Sequence, residues 1–514
     1  MDTRTAIDIG LLLYGGLMLA VSSYWMFRVK KPADYLVGGR SLPFWVLTGN
    51  ITAGCIGTGV IIGGSGLAYL HGWAGSAWPV ALGLGTALAG LLFAVMRRYQ
   101  FMTIVEEVAS YYEGKRTIIE FTNVTLWASQ FGWLTAQIIG GSKVLAAATG
   151  MSNEACVIIT GIIIAGIAIP GGFKSVVYTD FVQAFILVSG FVCVTMMALH
   201  HNGGLAGLRQ NVPASYFSIF GVDSYPQYGK WAVGGMILTL VFSVIADPGR
   251  RMSMFGAASE RGARWSMVCA GLIVIGFAVL IGITGMYAHQ LNPGIDPKDA
   301  DKALLWLVMH VLPAWLAAFV VIAAASGIFS CANGNAMAIS TFYVRHIYPL
   351  VTGGKYPRRP LFAARILLVC AFVVCTSVAL HSGTIVATVT GFLPITMSGL
   401  AIIILMGRFW KRATWQGAMA ALIITPILTL ISREFFANAF WNNAVILAIP
   451  GFVVHFVVSL LTPKPSRTFQ EVANSLTRER QNIEDKTLGF SSETTISPKV
   501  SSENYEASQR KTIM

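Results

Sequence analysis

Long apolar runs alternate with short polar loops along most of the chain. Each run is about as long as a helix that crosses a bilayer, roughly 20 residues, and is longer than a strand of a membrane barrel. The pattern predicts an all-α integral membrane protein with about thirteen transmembrane helices. The predicted spans are residues 7–27, 42–71, 74–96, 120–148, 154–170, 176–199, 230–248, 265–288, 305–344, 361–380, 385–407, 414–432 and 441–461.

Composition agrees with this assignment and excludes several classes of protein. Hydrophobic residues make up 55% of the chain and charged residues 11%, whereas soluble domains carry about 25% charged residues. The chain has no G-x-S-x-G, P-loop or H-E-x-x-H motif, and its 7 cysteines form no C-x-x-C pair. We therefore expect no enzyme, no cofactor and no use of ATP, so that transport draws on a gradient or is passive.

Lysine and arginine fall mainly in alternate loops between the predicted spans. Because loops rich in these residues stay in the cytoplasm, we expect a multi-pass protein of the plasma (inner) membrane with its N-terminus outside and its C-terminus cytoplasmic. The net charge of +13 then reflects topology; the expected partners are the bilayer and a small-molecule substrate, with no nucleic acid. The loops assigned to the cytoplasm contain Arg97, Arg98, Lys115, Arg116, Lys174, Arg250, Arg251, Arg261, Arg264, Arg345, Arg408, Lys411 and Arg412.

Hydropathy divides the chain into a transmembrane transporter domain, residues 1–462, and a polar cytoplasmic tail, residues 463–514. Within the first part, residues of about 42–199 and 230–407 form two units with a similar order of spans. Each unit opens with a span that glycine or proline interrupts. This is the layout of a transporter built from inverted repeats, in which the first helix of each repeat is discontinuous.

The first of these interrupted spans is unusually rich in glycine. Residues 38–72 contain Gly49, Gly54, Gly57, Gly59 and further glycines together with Asn, Thr and Cys side chains. Glycine is a poor helix former, and unwound backbone inside a membrane persists only where it lines a protein cavity. The pattern favours a broken helix whose free carbonyls bind a cation; close packing between helices is the alternative.

Three other groups of polar side chains lie within predicted spans. The 305–344 span carries Gly327, Ser330, Cys331, Asn333 and Asn335, which is more than helix packing needs. Asp180 is a carboxylate inside a span, hence a functional candidate, unless it pairs with nearby Lys174. Gln130, Trp133 and Gln137 share one helical face, which suits either a polar solute or hydrogen bonds between helices.

Several motifs resemble those of the sodium/solute symporter family, the group of the sodium/proline, pantothenate and glucose symporters. They are DYLVGGRSLPFWVLTGNITAG from residue 34, GGFKSVVYTDFVQAFILVSG from residue 171 and the 305–348 segment that ends STFYVRHIY. The resemblance covers residues 30–460. It implies a LeuT-type fold, with two inverted repeats of five helices, one helix before them and two after, and sodium-coupled import by alternating access.

The resemblance also implies which residues hold ions and solute. The sodium ion would bind the backbone carbonyls of Ala53, Ile56 and Gly327 and the side chains of Ser330 and Cys331. Asp180 matches an acid of the family's T-D-x-x-Q motif. The residues expected to line the substrate pocket, partly by position in the family, are Cys55, Gly57, Thr58, Trp133, Gln137 and Ser243.

Cys331 departs from the family pattern, which has a hydroxyl residue there, and a neutral thiol is a poor ligand for sodium. The expected function is therefore cation-coupled import of a small polar organic solute, with an amino-acid-like nutrient favoured and sodium as the coupling ion. Two alternatives remain open: a carrier of the same fold that is proton-coupled or uncoupled, and a transporter-like sensor that signals through the tail. Leu240 and Val244 stand where the proline symporter has aromatics, which argues against proline as the solute.

Overall fold

The computed structural model describes residues 2–218, 232–381, 397, 399–435 and 444–487. Within these residues every regular element is a helix, and one isolated bridge joins Leu42 to Ala257. The prediction of an all-α protein is therefore confirmed. Parts of the predicted 385–407 and 441–461 spans and of the tail lie outside the described residues.

The helices of the first half lie between the N-terminus and residue 218. They are α1 (Thr3–Arg28), α2 (Pro32–Val37), α3 (Phe44–Cys55), α4 (Ser65–His71), α5 (Ala77–Phe93), α6 (Ile104–Tyr111), α7 (Arg116–Thr149), α8 (Asn153–His201) and α9 (Leu205–Asn211). A π-helical segment, Gly59–Gly64, leads directly into α4.

The helices of the second half begin at residue 232. Its elements are α10 (Ala232–Ile245), α11 (Pro248–Gly256), α12 (Glu260–Leu291), α13 (Ala303–His310), α14 (Ala314–Phe342), α15 (Tyr348–Val351), α16 (Pro360–His381), α17 (Gly399–Phe409), α18 (Trp415–Phe435), α19 (Ala444–Leu461) and α20 (Phe469–Thr487).

Six helices of the described residues are long and apolar enough to cross a membrane, or eight spans if each of two bent pairs counts as one. The long helix α8 is interrupted at Gly172, which has a φ of 61°, at the boundary between the predicted spans 154–170 and 176–199. The predicted 305–344 span is wrong as a single helix, because α13 ends before Pro313 and α14 begins after it. The total of thirteen spans remains a prediction.

Two spans are broken in the way that a binding site inside a membrane requires. The first bends by 58° between α3 and the segment that begins at Gly59, and the second by 48° between α10 and α11. Pro248 occupies the first turn of α11, where a missing N–H costs nothing. It therefore begins the second half-helix; it does not merely end a span.

Buried helices surround these breaks. Helix α14 is buried along most of its length and packs against α1, α3, α7 and α8, while α5 packs against α10 and α12. The bridge at Leu42 then joins the two broken spans, because the Leu42 N–H donates to the Gly256 carbonyl at 3.1 Å and the Ala258 N–H donates to the Leu42 carbonyl at 3.1 Å.

Helix α6, which follows α5, is short, and both of its carboxylates are buried. Glu106 pairs with Arg345 at 2.5 Å, and Glu107 lies 3.6 Å from Arg251. These ion pairs connect α6 to the end of α14 and to the half-helix α11. Arg345 and Arg251 were predicted to be loop charges; Arg251 is instead 1% exposed.

Helix α20, within the polar tail, packs against α6. The Phe469 ring stacks on Tyr111 with centroids 5.2 Å apart, and one carboxylate oxygen of Glu113 accepts hydrogen bonds from the Ser466 backbone N–H at 2.7 Å and its hydroxyl at 2.6 Å. Partial burial opposes ionisation of Glu113, but the hydrogen bonds from Ser466 outweigh it and hold the pKa of that carboxyl below its ordinary value.

Candidate functional site

The first break frees backbone groups at the end of α3. Helix α3 ends at Cys55, and Ile56 has a non-helical conformation, with φ −107° and ψ 69°. Gly57 follows, at a point where no side chain fits: an added Cβ would lie 2.5 Å from the Cys331 sulfur and 2.9 Å from the Gln137 side-chain oxygen. Glycine is therefore required for α14 and α7 to approach the break.

The second break is organised by Asp247. One of its carboxylate oxygens caps α11 by accepting the Arg250 N–H at 2.8 Å, and the other accepts the Arg250 guanidinium at 2.8 Å. The guanidinium Nε also donates to the Cys55 sulfur at 3.4 Å. Arg250 thus extends from the second broken helix to the end of the first.

A cavity of about 100 Å³ lies between the two breaks. Five of the six residues predicted for the substrate pocket line it: Cys55, Gly57, Trp133, Gln137 and Ser243. Thr58 lies behind the wall, where its N–H and hydroxyl donate to the Gln137 oxygen at 3.0 and 2.8 Å. The other lining residues are Gly54, Gly59, Val60, Trp78, Leu82, Leu240, Val244, Asp247, Arg250, Cys331 and Asn335.

A second cavity of about 50 Å³ contains Asp180. One oxygen of Asp180 accepts a hydrogen bond from Asn50 at 2.8 Å, and Ser253 in turn donates to Asn50 at 2.7 Å. The other oxygen of Asp180 and the hydroxyl of Ser330, which lines the same cavity, are buried close to each other, and neither has a hydrogen bond to a further group of the described residues. A cation between them would contact both oxygens.

The alternative, in which Asp180 pairs with Lys174, is wrong. Lys174 pairs with Asp34 at 3.0 Å, and Asp180 is 1% exposed. The carboxylate therefore lies in the protein interior, where a charge persists only with a partner or a function.

The residues predicted to hold sodium are brought together at the first break. An added Cβ at Gly327 would lie 2.2 Å from the Ile56 carbonyl oxygen, so α14 approaches that carbonyl closely. The Cys331 thiol donates to the Gly54 carbonyl at 3.0 Å and lies 3.7 Å from the Ala53 carbonyl. The oxygens suit sodium, whereas the thiol satisfies a carbonyl without offering a good ligand.

Sequence reasoning missed two charged residues of the site, Asp247 and Arg250. Arg250 was assigned to a cytoplasmic loop, and that assignment is wrong because its side chain lines both cavities. The signal was the segment D-P-G-R-R directly after an apolar run: a proline in the first turn of a new helix implies that the helix continues beyond it.

Comparison with known proteins agrees with this geometry. The family model described as "Sodium:solute symporter family" matches residues 35–425. The chain belongs to the sodium:solute symporter family. Family membership confirms the resemblance drawn from the motifs and makes the protein a multi-pass membrane transporter, not an enzyme.

Individual members of the sodium:solute symporter family are distant. The high-affinity proline transporter PutP of Bacillus subtilis is 24% identical over 89% of this chain and 98% of its own length. The sodium/pantothenate symporter of Escherichia coli is 24% identical over 77% of this chain and 83% of its own. A solved structure of a Na+-coupled sialic acid symporter, in a substrate-bound outward-open state, has a TM-score of 0.78 at 16% identity and covers 89% of this chain and 98% of its own. These matches confirm the LeuT-type fold class.

Proposed function

We propose that this protein imports a small polar organic solute together with sodium, by alternating access. The observation that carries the proposal is the pair of buried oxygens on Asp180 and Ser330, which face the same cavity beside a broken helix. A carboxylate in a membrane interior needs a counter-charge, and hard oxygen ligands favour a cation such as sodium. The named relatives that couple sodium to a solute support the same assignment.

Six residues form the proposed ion site. The carbonyls of the first break and of α14 supply backbone oxygens, and Ser330 and Asp180 supply side-chain oxygens. Cys331 occupies a ligand position with a weak ligand, so we expect the affinity for sodium to be low. The full set is Ala53, Ile56, Asp180, Gly327, Ser330 and Cys331.

Purified protein in liposomes tests the coupling ion. Labelled sodium binding is measured on wild type, on Asp180→Asn and on the control Asp301→Asn, which removes an exposed carboxylate paired with Lys143. We expect saturable sodium binding that Asp180→Asn abolishes and Asp301→Asn retains. Equal binding by all three proteins would contradict the proposed site.

Flux measurements separate the remaining alternatives. An inward sodium gradient is imposed at equal pH, and then an inward proton gradient at equal sodium, while uptake of labelled amino acids, carboxylates and sugars is followed. Uptake driven by sodium is the expected result. Uptake that follows only the proton gradient would identify a proton-coupled carrier, and binding of a solute without any flux would identify a sensor.

We also propose that the protein lies in the plasma membrane with its N-terminus outside and its C-terminus in the cytoplasm. The uneven distribution of lysine and arginine supports this orientation. A protease site inserted after Pro465, next to α20, should be cut in inside-out vesicles and protected in intact cells. Cutting in intact cells would reverse the orientation.

A further inference from the structure

The guanidinium of Arg250 is an unusual group to find in a cavity between broken transmembrane helices. Its side chain is 12% exposed, and its contacts are those with Asp247 and with the Cys55 sulfur. A guanidinium has five N–H donors in a planar fork, so most of its donors remain available to the cavity. A charge held at this depth is costly and is functional by default.

The acid beside Arg250 is engaged by that arginine. Both carboxylate oxygens of Asp247 accept hydrogen bonds from Arg250, one from its backbone and one from its side chain. Asp247 therefore fixes the position of the guanidinium and caps α11. An ammonium group entering the cavity would have to share this carboxylate with the guanidinium.

Gln137 also presents a donor to the cavity. Its side-chain oxygen already accepts two hydrogen bonds from Thr58, so its free group is the NH₂. The groups that Arg250 and Gln137 leave free are donors of hydrogen bonds, and Ser243 and Asn335, which also line the cavity, can donate as well as accept. This set matches a carboxylate, which accepts hydrogen bonds on both oxygens and pairs with a guanidinium in a bidentate manner.

The rest of the wall is apolar and the space is small. Val60, Trp78, Leu82, Leu240 and Val244 form the apolar part of the lining. The volume is about 100 Å³, and an engineered cavity of about 150 Å³ in another protein holds a benzene molecule. The space therefore favours a small occupant.

We propose that the transported solute is a short-chain monocarboxylate, with its carboxylate on the Arg250 guanidinium and its carbon chain against Trp78 and Leu240. The proposal rests on the proposed transport function and narrows its solute. It differs from the expectation of an amino-acid-like solute, because an amino acid adds an ammonium group, and the one carboxylate in the described lining, Asp247, is already paired with Arg250. A sugar has no charge to match the guanidinium.

Competition binding to the wild-type protein is the first test. Binding of labelled propionate to the purified full-length protein is measured and competed with unlabelled propionate, with alanine and with propionamide, the neutral isostere. We expect propionate to compete best, alanine at least tenfold less well and propionamide least. Competition by propionamide equal to that of propionate, or stronger competition by alanine, would overturn the proposal, as would the absence of propionate binding.

Variants of Arg250 then test the site. Arg250→Gln should weaken propionate binding about 10- to 100-fold, the range expected when a charge-assisted hydrogen bond is lost, and Arg250→Lys should bind with intermediate affinity because it keeps the charge but loses the fork. Arg264→Gln, which removes a guanidinium paired with Glu260 near the surface, is the matched control. Unchanged binding by Arg250→Gln would refute the assignment; if that variant does not fold, the wild-type competition decides alone.

The proposed solute and the proposed coupling ion can be refuted separately, because sodium binding is measured in its own assay on wild type and Asp180→Asn. Sodium binding without propionate binding would refute only the solute class. Propionate binding that depends on Arg250, in a protein whose transport ignores sodium, would refute only the coupling.

Discussion

The buried ion pair between Arg251 and Glu107 connects the half-helix α11 to the short helix α6. The two side chains are 1% and 0% exposed, and the Arg251 Nε lies 3.6 Å from the carboxylate. Arg251 also donates to the Ile245 carbonyl at 3.2 Å and lies over the Phe93 ring at 4.0 Å. At an effective dielectric constant of about 20, the attraction of the pair at this distance is about 5 kcal/mol, and desolvation offsets much of it.

Removing one partner should cost far more than removing both. Arg251→Met leaves the buried Glu107 carboxylate without its ion-pair partner and with a hydrogen bond from the Tyr111 hydroxyl at 3.0 Å, which should destabilise the protein by about 3–5 kcal/mol. Arg251→Met combined with Glu107→Gln should recover most of this loss. The apparent Tm and the extent of chemical unfolding of the purified protein are compared for wild type, both single variants and the double variant. Arg264→Met is the control, since exposed pairs contribute about 0–1 kcal/mol.

The stability of Arg251→Met should also depend on pH. Burial raises the pKa of Glu107, and the charge of Arg251 partly opposes this rise. A carboxyl whose pKa is raised by folding favours the folded state at low pH, and this contribution is lost as the pH rises through the pKa in the folded protein. Without Arg251 the carboxyl should take up a proton more readily, so the defect should shrink as the pH falls from about 8 to about 5.5. A single variant as stable as wild type at pH 8, or a double variant no better than Arg251→Met, would refute this account.

Three further predictions concern the ion site, the first break and the tail. Cys331→Ser should raise the affinity for sodium about tenfold or more, as expected for a better ligand to a charge. The control Cys375→Ser should leave the affinity unchanged. Equal sodium affinities of Cys331→Ser and wild type would remove residue 331 from the site. Gly57→Ala should abolish solute uptake. The control is Gly276→Ala, whose added Cβ meets no atom within 4 Å. Normal uptake by Gly57→Ala would show that the break tolerates a side chain. Glu113 has a lowered pKa, so its contribution to docking α20 is present above its ordinary pKa and is lost as the pH falls through the pKa in the folded protein. Glu113→Gln should therefore increase proteolysis next to α20 at pH 7. Unchanged proteolysis would contradict this.

Periodicity and composition were sufficient for the fold class because the signals are strong and local. A run of apolar residues of membrane length has few alternatives, and the density of glycine in residues 38–72 marked the first break. The exact limits of the helices were harder to predict from the sequence. Pro313 divides a predicted span, and Gly172 interrupts a long helix through a positive φ that the sequence does not reveal.

The sequence predicted part of the lining of the candidate site, through glycine density, a shared helical face and the family motifs. Cys55, Gly57 and Gln137 line one cavity, and their role in binding solute stays a prediction. Arg250 and Arg251 were misassigned because the rule that counts basic residues in loops cannot distinguish a solvated arginine from one that turns back into the protein. That distinction depends on contacts far along the chain, Cys55 for one arginine and Glu107 for the other.

The bridge between Leu42 and Ala257 has a mechanical consequence for transport. Its two backbone hydrogen bonds join the start of one interrupted span to the end of the other, so the half-helices α3 and α11 are tied together. Any rotation of one of them during transport would carry the other with it. The bending would then concentrate at Gly57 and Asp247, which both line the cavity between the breaks.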